Sequence, residues 1–201
     1  ELPDEFRVIV CDNGSTDRSA ALARAAGAEV VTTPRGYGNA ILGGLALLRP
    51  NPPDVVVVCD GDHSVDPADF ALILGPLDRD EADFVLGDRT QLAAPGSMPP
   101  QQVYGNILAT GIIRLQSGFR FRDMGPFRAI RWAAIESLRM EDPNYGWNVE
   151  MQLKAVRAGL RIAEVPVHNR ERIGRSKVSG SFRGATRAGV KILWSCWRYR
   201  G

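Results

Sequence analysis

The stretch VVVVCDGDHSVD, Val55 to Asp66, sets the problem that the rest of the chain has to answer. Four consecutive valines read as a strand apolar on both faces, the pattern of a parallel sheet covered by helices. Asp60, Asp62 and Asp66 follow within seven residues. Two carboxylates about 4 Å apart repel by about 4 kcal/mol at an effective dielectric of about 20, so this loop needs a cation. A hard divalent ion such as Mg²⁺ or Mn²⁺ suits it, because such ions take carboxylate ligands and keep water or phosphate in their other positions. Asp60 and Asp62 are the expected metal ligands, and Gly61 leaves room for approach. His63 is a poor ligand for such an ion and is read as structural or supporting.

Outward from this strand, apolar runs alternate with helical patterns. RVIVCD (7–12), AEVVTT (28–33) and ADFVLGD (82–88) are expected strands. STDRSAALARAAG (15–27) is an expected helix, with Ser15 or Thr16 as its N-cap and Gly27 as its stop, and helices are expected at 37–48 and 66–79. This β-α-β-α-β-α-β order implies an α/β fold with a doubly wound, mostly parallel sheet. A long helix is expected over 100–118, irregular or short-stranded chain over 119–131, two helices near 131–139 and 146–158, and a strand over 161–167. The pair Gly43-Gly44 predicts close helix-to-sheet packing. Trp132 reads as core, while Trp147 is equally open to the core and to an acceptor pocket. In open α/β sheets ligands bind beyond the carboxyl ends of the strands. Asp12, Asp60 and Asp88 each close an expected strand, so one rim should collect them.

The 201 residues suffice for one ordinary domain with a sizeable core. Net charge is only +2, but residues 170 to 201 hold nine Lys/Arg and one acid, while residues 1 to 169 hold 16 basic and 22 acidic residues. The tail is expected to meet an anion. The run NRERIGRSK (169–177) lacks interleaved aromatics, which argues against a nucleic-acid partner. Cys11, Cys59 and Cys196 form no scaffold or zinc pattern, and the first two read as small core residues in a reducing compartment. No stretch approaches about 20 apolar residues, and no signal peptide opens the chain. The expected location is therefore cytoplasmic, with peripheral contact on the inner face of a membrane through a basic amphipathic helix at 182–200, where Arg183, Arg187, Lys191 and Arg198 share a face.

At this point the chain resembles the family 2 inverting glycosyltransferases of the GT-A fold. The residues carrying the resemblance are DNGSTD (12–17), CDGDHSVDP (59–67), LGDR (86–89), FRDMGPFRAI (121–130), YGWNVEMQLKAVRAGLRIAEVPV (145–167) and RIGRSKVSG (172–180). Within the family the chain is most similar to the polyprenyl-phosphate (dolichyl-phosphate) sugar synthases. The resemblance implies a single Rossmann-like GT-A domain over 1–181, followed by the 182–201 helix. It implies transfer of a hexose from a nucleotide-diphospho-sugar of the UDP-glucose or GDP-mannose type, with Mg²⁺ or Mn²⁺, to a lipid-phosphate or hydroxyl acceptor. By position it implies that Asp12 holds the nucleotide base and that Asp60 and Asp62 hold the metal on the donor diphosphate. Arg89 follows the next strand; Arg172 and Lys177 clamp phosphate. Asp123 lies near the transferred sugar and Glu150 on the acceptor side, and these are the two expected catalytic acids. The family also opens with a strand ending in Pro-x-x-Asn-Glu, so strands 7–11 and 55–59 are expected to lack a shared neighbour, and the natural protein is expected to be longer. Two other classes share parts of this pattern: a sugar-phosphate nucleotidyltransferase, which opens with a Gly-rich, Arg-containing loop not seen here, and a non-catalytic nucleotide-sugar binding domain. A Mg²⁺ phosphatase fits poorly, because His63-Ser64 stands where a Thr is needed.

Overall fold

A computed structural model describes residues 6–94, 96–173, 194–195 and 197–199. In chain order it holds β1 (Ile9–Asp12), α1 (Ser19–Ala25), β2 (Glu29–Thr32), α2 (Tyr37–Leu48), β3 (Val55–Val58), α3 (Phe70–Asp78), β4 (Phe84–Ala93), α4 (Pro100–Ser117), β5 (Arg128–Arg131), α5 (Trp132–Leu138), α6 (Trp147–Arg157) and β6 (Ile162–Asn169). A single 3₁₀ turn, Pro67–Asp69, leads into α3, and the Asp66 carboxylate caps it through the Ala68 amide.

The valine strand sits in a four-stranded sheet of order β3-β5-β4-β6. Its side chains alternate between two cores, as the period of two requires. Val56, Phe84, Leu86 and Ile130 face α2, α4, α5 and α6, with Ile41, Ile113, Ile135, Trp147 and Leu153 buried among them. Val85, Ala129 and Val167 face α3, where Phe70, Ile73, Leu77 and Phe127 close the second core. Helices on both faces explain why four valines in succession are tolerated.

The sheet differs from the expected parallel order at one strand. β5 lies between β3 and β4 and runs antiparallel to both, whereas β4 and β6 pair in parallel. The register sets Val58, Arg128 and Leu86 in one row. An antiparallel β5 therefore begins where β3 ends, and the chain leading into it, residues 123–127, lies along the carboxyl rim of β3. A parallel β5 would have put that segment at the other end.

β1 and β2 form a separate parallel pair, and β1 and β3 do not pair with each other. α2 joins the two units: it packs on β1 and β2 while Ile41, Leu45 and Leu48 enter the core of the larger sheet. The Gly43-Gly44 expectation holds. A Cβ at Gly43 would lie 2.3 Å from a Thr33 methyl carbon, and one at Gly44 would lie 2.8 Å from the Cys11 sulfur.

Three local expectations need correction. α1 starts at Ser19, because Asp12 and Asp17 accept the Ser15 and Ser19 amides and so hold 12–18 in turns. β4 does not stop at Asp88 but runs to Ala93, with a register irregularity against β6 between Asp88 and Leu92. Cys59 is exposed rather than core, because β3 ends at Val58 and the chain leaves the sheet there.

Candidate active site

Beyond Val58 the chain turns into Asp60 and Asp62, and a second segment holds that turn in place. After β6, residues 169–173 run beside 62–65. Val65 bridges Asn169, Arg170 donates its amide to the Ser64 carbonyl at 2.9 Å, and Ile173 donates to the Asp62 carbonyl at 2.9 Å. This strap carries two guanidinium groups onto the acidic loop. Arg170 bonds Asp66, and Arg172 lies 3.5 Å from Asp62 Oδ2. Asp62 Oδ1 is held by the Ser64 amide and hydroxyl, which leaves Oδ2 facing the strap.

Asp60 is different. Burial and the neighbouring Asp62 charge push its carboxyl above the usual carboxylate range, against the pull of Arg89, Arg172 and Arg128. Two acids and three guanidinium groups thus share one low-dielectric rim. Tyr37, the first residue of α2, joins them. Burial and the Asp60 charge push its phenol well up, against the pull of the Asn148 side chain.

Arg89 is fixed by Asp123. Its Nε and amide donate to Asp123 Oδ2 at 2.7 and 3.1 Å, and its Nη2 donates to Oδ1 at 2.9 Å. The Met124 amide takes the remaining place on Oδ1. Asp123 is fully buried, so this bidentate pair is both short and desolvated. Gly125 is required beside it, because a Cβ there would lie 3.0 Å from Asp123 Oδ2 and 3.1 Å from Arg89 Nε. Burial lowers the affinity of Arg89 for its proton, but Asp123 outweighs that and the group stays a cation.

Arg128, fully buried beneath this layer, donates to the Gly125 carbonyl and the Met151 sulfur and lies 6.0 Å from the Phe84 ring centroid. Burial lowers its pKa, and its Nε has no partner in the structure. Sequence reasoning missed both Arg128 and Tyr37. The signal available for Arg128 was a lone cation in the apolar run Phe127-Arg128-Ala129-Ile130 of a buried strand. Tyr37 had only its place at the start of a helix.

The other expected site residues are placed as follows. Asp12 closes its own turn on Ser15, which lowers its pKa. Asn13 ties that turn to the start of α2, exchanging hydrogen bonds of 2.7 and 3.0 Å with Gly36. Asp88 is buried, and Thr90, Gln91 and Arg122 satisfy it. Burial alone would raise its pKa, yet these donors bring it below the usual range. Glu150 is fully buried in the first turn of α6, where Oε1 accepts the Glu141 amide and the Lys154 ammonium, and Oε2 accepts the Asp142 amide. Trp147 belongs to the core. Lys177 lies outside the described residues, as do 182–193, 196 and 200 of the expected basic helix. Within that helix Trp194 and Trp197 are exposed, while Ser195 and Tyr199 are buried against Asp142 and α6. No helix among the described residues is long and apolar enough to cross a membrane.

This layout matches a known sequence family. Residues 2–124 match the family described as Glycosyl transferase family 2. The chain belongs to glycosyltransferase family 2. Among the relatives of this glycosyltransferase, a Mycobacterium tuberculosis protein named as an uncharacterized glycosyltransferase is 36% identical over 187 residues, covering 92% of this chain and 83% of the relative. A dolichyl-phosphate hexose transferase of Haloferax volcanii is 33% identical, with 99% and 85% covered. An undecaprenyl-phosphate mannosyltransferase of Micrococcus luteus is 30% identical, with 98% and 87% covered. The fold is that of glucosyl-3-phosphoglycerate synthase from M. tuberculosis, solved with Mn²⁺, UDP-glucose and phosphoglyceric acid. The TM-score is 0.77 at 22% identity, over 96% of this chain and 68% of that one.

Proposed function

We propose that this glycosyltransferase moves a hexosyl group, with inversion, from a nucleotide-diphospho-sugar to a polyprenyl phosphate. The observation that carries the reading is the Asp60–Asp62 pair beneath Arg89, Arg128 and Arg172. Two acidic ligands set among cations suit a divalent ion bridging to a diphosphate, and an acid pair without such an ion is left partly uncompensated, as the raised Asp60 indicates. Asp60 and Asp62 would hold Mg²⁺ or Mn²⁺, which when bound neutralises charge on the departing diphosphate. Arg172, with Lys177 outside the described residues, would bind the phosphate oxygens. Asp12 would hold the base. The names of the dolichyl-phosphate and undecaprenyl-phosphate relatives support the lipid-phosphate acceptor, and the Mn²⁺ and UDP-glucose in the solved neighbour's title support the metal and a nucleotide-sugar donor.

In this reading an acceptor oxygen attacks the anomeric carbon from the face opposite the diphosphate. The bond from that carbon to the diphosphate oxygen breaks, and its electron pair leaves with the nucleoside diphosphate. A phosphate acceptor, with a second pKa of about 6, is largely ionised at neutral pH and needs no general base. Asp123 and Glu150 accept hydrogen bonds on both of their oxygens, which favours a phosphate acceptor over a hydroxyl. We assign Asp123 to orienting Arg89 and Glu150 to holding the 141–142 turn. Calorimetric titration with UDP-glucose and GDP-mannose, with and without Mn²⁺, tests the donor, and incubation with polyprenyl phosphate tests the acceptor. Mn²⁺-dependent binding of one donor and formation of a sugar-phosphate lipid are expected; no Mn²⁺-dependent binding of either donor overturns the reading.

A further inference from the structure

The two faces of α4 have opposite fates. Asn106, Ala109 and Ile113 are buried against the domain, whereas Tyr104 (73% exposed), Ile107 (62%), Leu108 (51%) and Leu115 (88%) face outward at three- and four-residue steps. Gly111, on the same outward strip, adds no bulk, with nothing within 4 Å of a Cβ built there. An outward strip of this kind leaves uncovered the surface that a globular helix normally buries.

Charge says what covers it. Residues 89–122 contain no Asp or Glu, although the chain has 23 acids, and they contain Arg89, Arg114, Arg120 and Arg122. Arg114 and Arg120 are exposed at the carboxyl end of the strip, while the guanidinium of Arg122 lies 3.8 Å from Asp88 Oδ2. A second copy of this chain, whose first 169 residues are acidic on balance, offers the apolar strip nothing that selects for the absence of acids. An anionic bilayer selects for it directly: acyl chains take the Leu and Ile side chains, Tyr sits at the headgroup level, and Arg114 and Arg120 meet lipid phosphate.

The same helix reaches the candidate active site from its buried face. Asn106 donates to the Arg122 carbonyl at 3.0 Å and accepts the Met124 amide at 2.7 Å, gripping the backbone on both sides of Asp123, which in turn holds Arg89. We infer that the outward face of α4, Tyr104–Leu115, lies on the surface of an anionic membrane and presents the Asp123–Arg89 side of the site to lipid-borne phosphate. This rests on the lipid-phosphate acceptor proposed above.

The test is sedimentation of the full chain with phosphatidylglycerol vesicles and with phosphatidylcholine vesicles, comparing the wild type with Ile107→Glu/Leu115→Glu. The wild type is expected to bind phosphatidylglycerol more tightly than phosphatidylcholine. The double variant, carrying two charges on the outward apolar strip, is expected to bind phosphatidylglycerol at least about tenfold more weakly. UDP-glucose or GDP-mannose titration and circular dichroism are expected to be unchanged in the variant, which separates docking from folding and from the donor site. Wild-type vesicle binding that the variant retains assigns docking to residues 182–200 and overturns the inference. So does a wild type that ignores both vesicles, or one found as a dimer that the variant splits without any vesicle binding. If vesicles bind as expected but no polyprenyl phosphate is glycosylated, the docking surface stands and the acceptor reading fails.

Discussion

Asp123 and Glu150 differ from Asp60 and Asp62 in what surrounds their oxygens. The first two are completely buried, and their oxygens are held by protein donors: an arginine fork and two amides on Asp123, two amides and a lysine on Glu150. The second two crowd each other at the end of β3, reached by cations that do not bond them fully, so Asp60 holds its proton more tightly than a free aspartate does. A buried carboxylate whose two oxygens are both engaged by protein donors stabilises the chain and offers little to a substrate. A pair that is only partly compensated costs stability and binds what completes it.

The largest effect that would break this contrast is on stability. Asp123→Ala leaves the Arg89 guanidinium buried without its fork, and urea unfolding should show a loss of about 3–5 kcal/mol. A loss below about 1 kcal/mol would mean that Asp123 is not architectural. Asp62→Ala should do the reverse. Transfer in saturating Mn²⁺ should fall at least about a hundredfold, while stability changes by only about 1 kcal/mol through the lost Ser64 hydrogen bonds. Full activity of Asp62→Ala in the presence of EDTA would remove the metal assignment.

Glu150→Gln sharpens the comparison further. It leaves the Lys154 ammonium and one amide short of a partner, for about 1–3 kcal/mol of stability, with the rate per folded molecule unchanged. A hundredfold rate loss at wild-type stability would instead make Glu150 the proton acceptor for a hydroxyl substrate. The smallest effect belongs to a third class of carboxylate, paired at the surface. Hydrogen bonds from Arg161 hold Asp80 and Asp83 below their usual range. A depressed folded-state pKa contributes stability above the unfolded value of about 3.9, and that contribution is lost as pH falls through the folded values. Arg161→Met should therefore lower the melting temperature slightly at pH 5–7, and the difference from wild type should shrink as pH falls below about 3.9.

The sequence made some of this readable and hid the rest for physical reasons. α2 begins and ends where its apolar spacing and the RPNPP breaker put it, and Val55–Val58 forms the strand its branched side chains favour. The Asp60-Gly61-Asp62 turn was legible because like charges beside a buried strand are locally conspicuous. β5 was not legible as an inserted antiparallel strand. Its four residues, Arg-Ala-Ile-Arg, set two apolar groups between two charges and show no alternation, and whether a strand runs parallel or antiparallel is decided by long-range pairing rather than by local composition. Since β5 was unread, the burial of Arg128 and the path of 123–127 along the β3 rim were unread with it. Asp88 looked like a strand end because Gly87-Asp88 resembles a turn, but pairing with β6 carries the strand onward. The engagement of Asp123 and Glu150 was equally out of reach, since their donors come from Arg89, Glu141 and Asp142, positions that only the folded chain brings together.

The strap formed by residues 169–173 has a consequence for biosynthesis. Asp66 and Arg170 are 104 residues apart in the sequence, and the Ser64 and Asp62 carbonyls wait for the amides of Arg170 and Ile173. At about 5–20 residues per second, a ribosome delivers the strap roughly 5–20 s after the acidic loop. Through that interval Val55–Val58 precedes β5, its paired neighbour among the described strands, so a branched apolar strand sits with open edges on a nascent chain. The acidic turn that ends it, with Asp60 and Asp62 not yet countered by Arg172, then serves as a charged gatekeeper: the mutual repulsion that the finished fold must offset is what keeps the growing strand soluble.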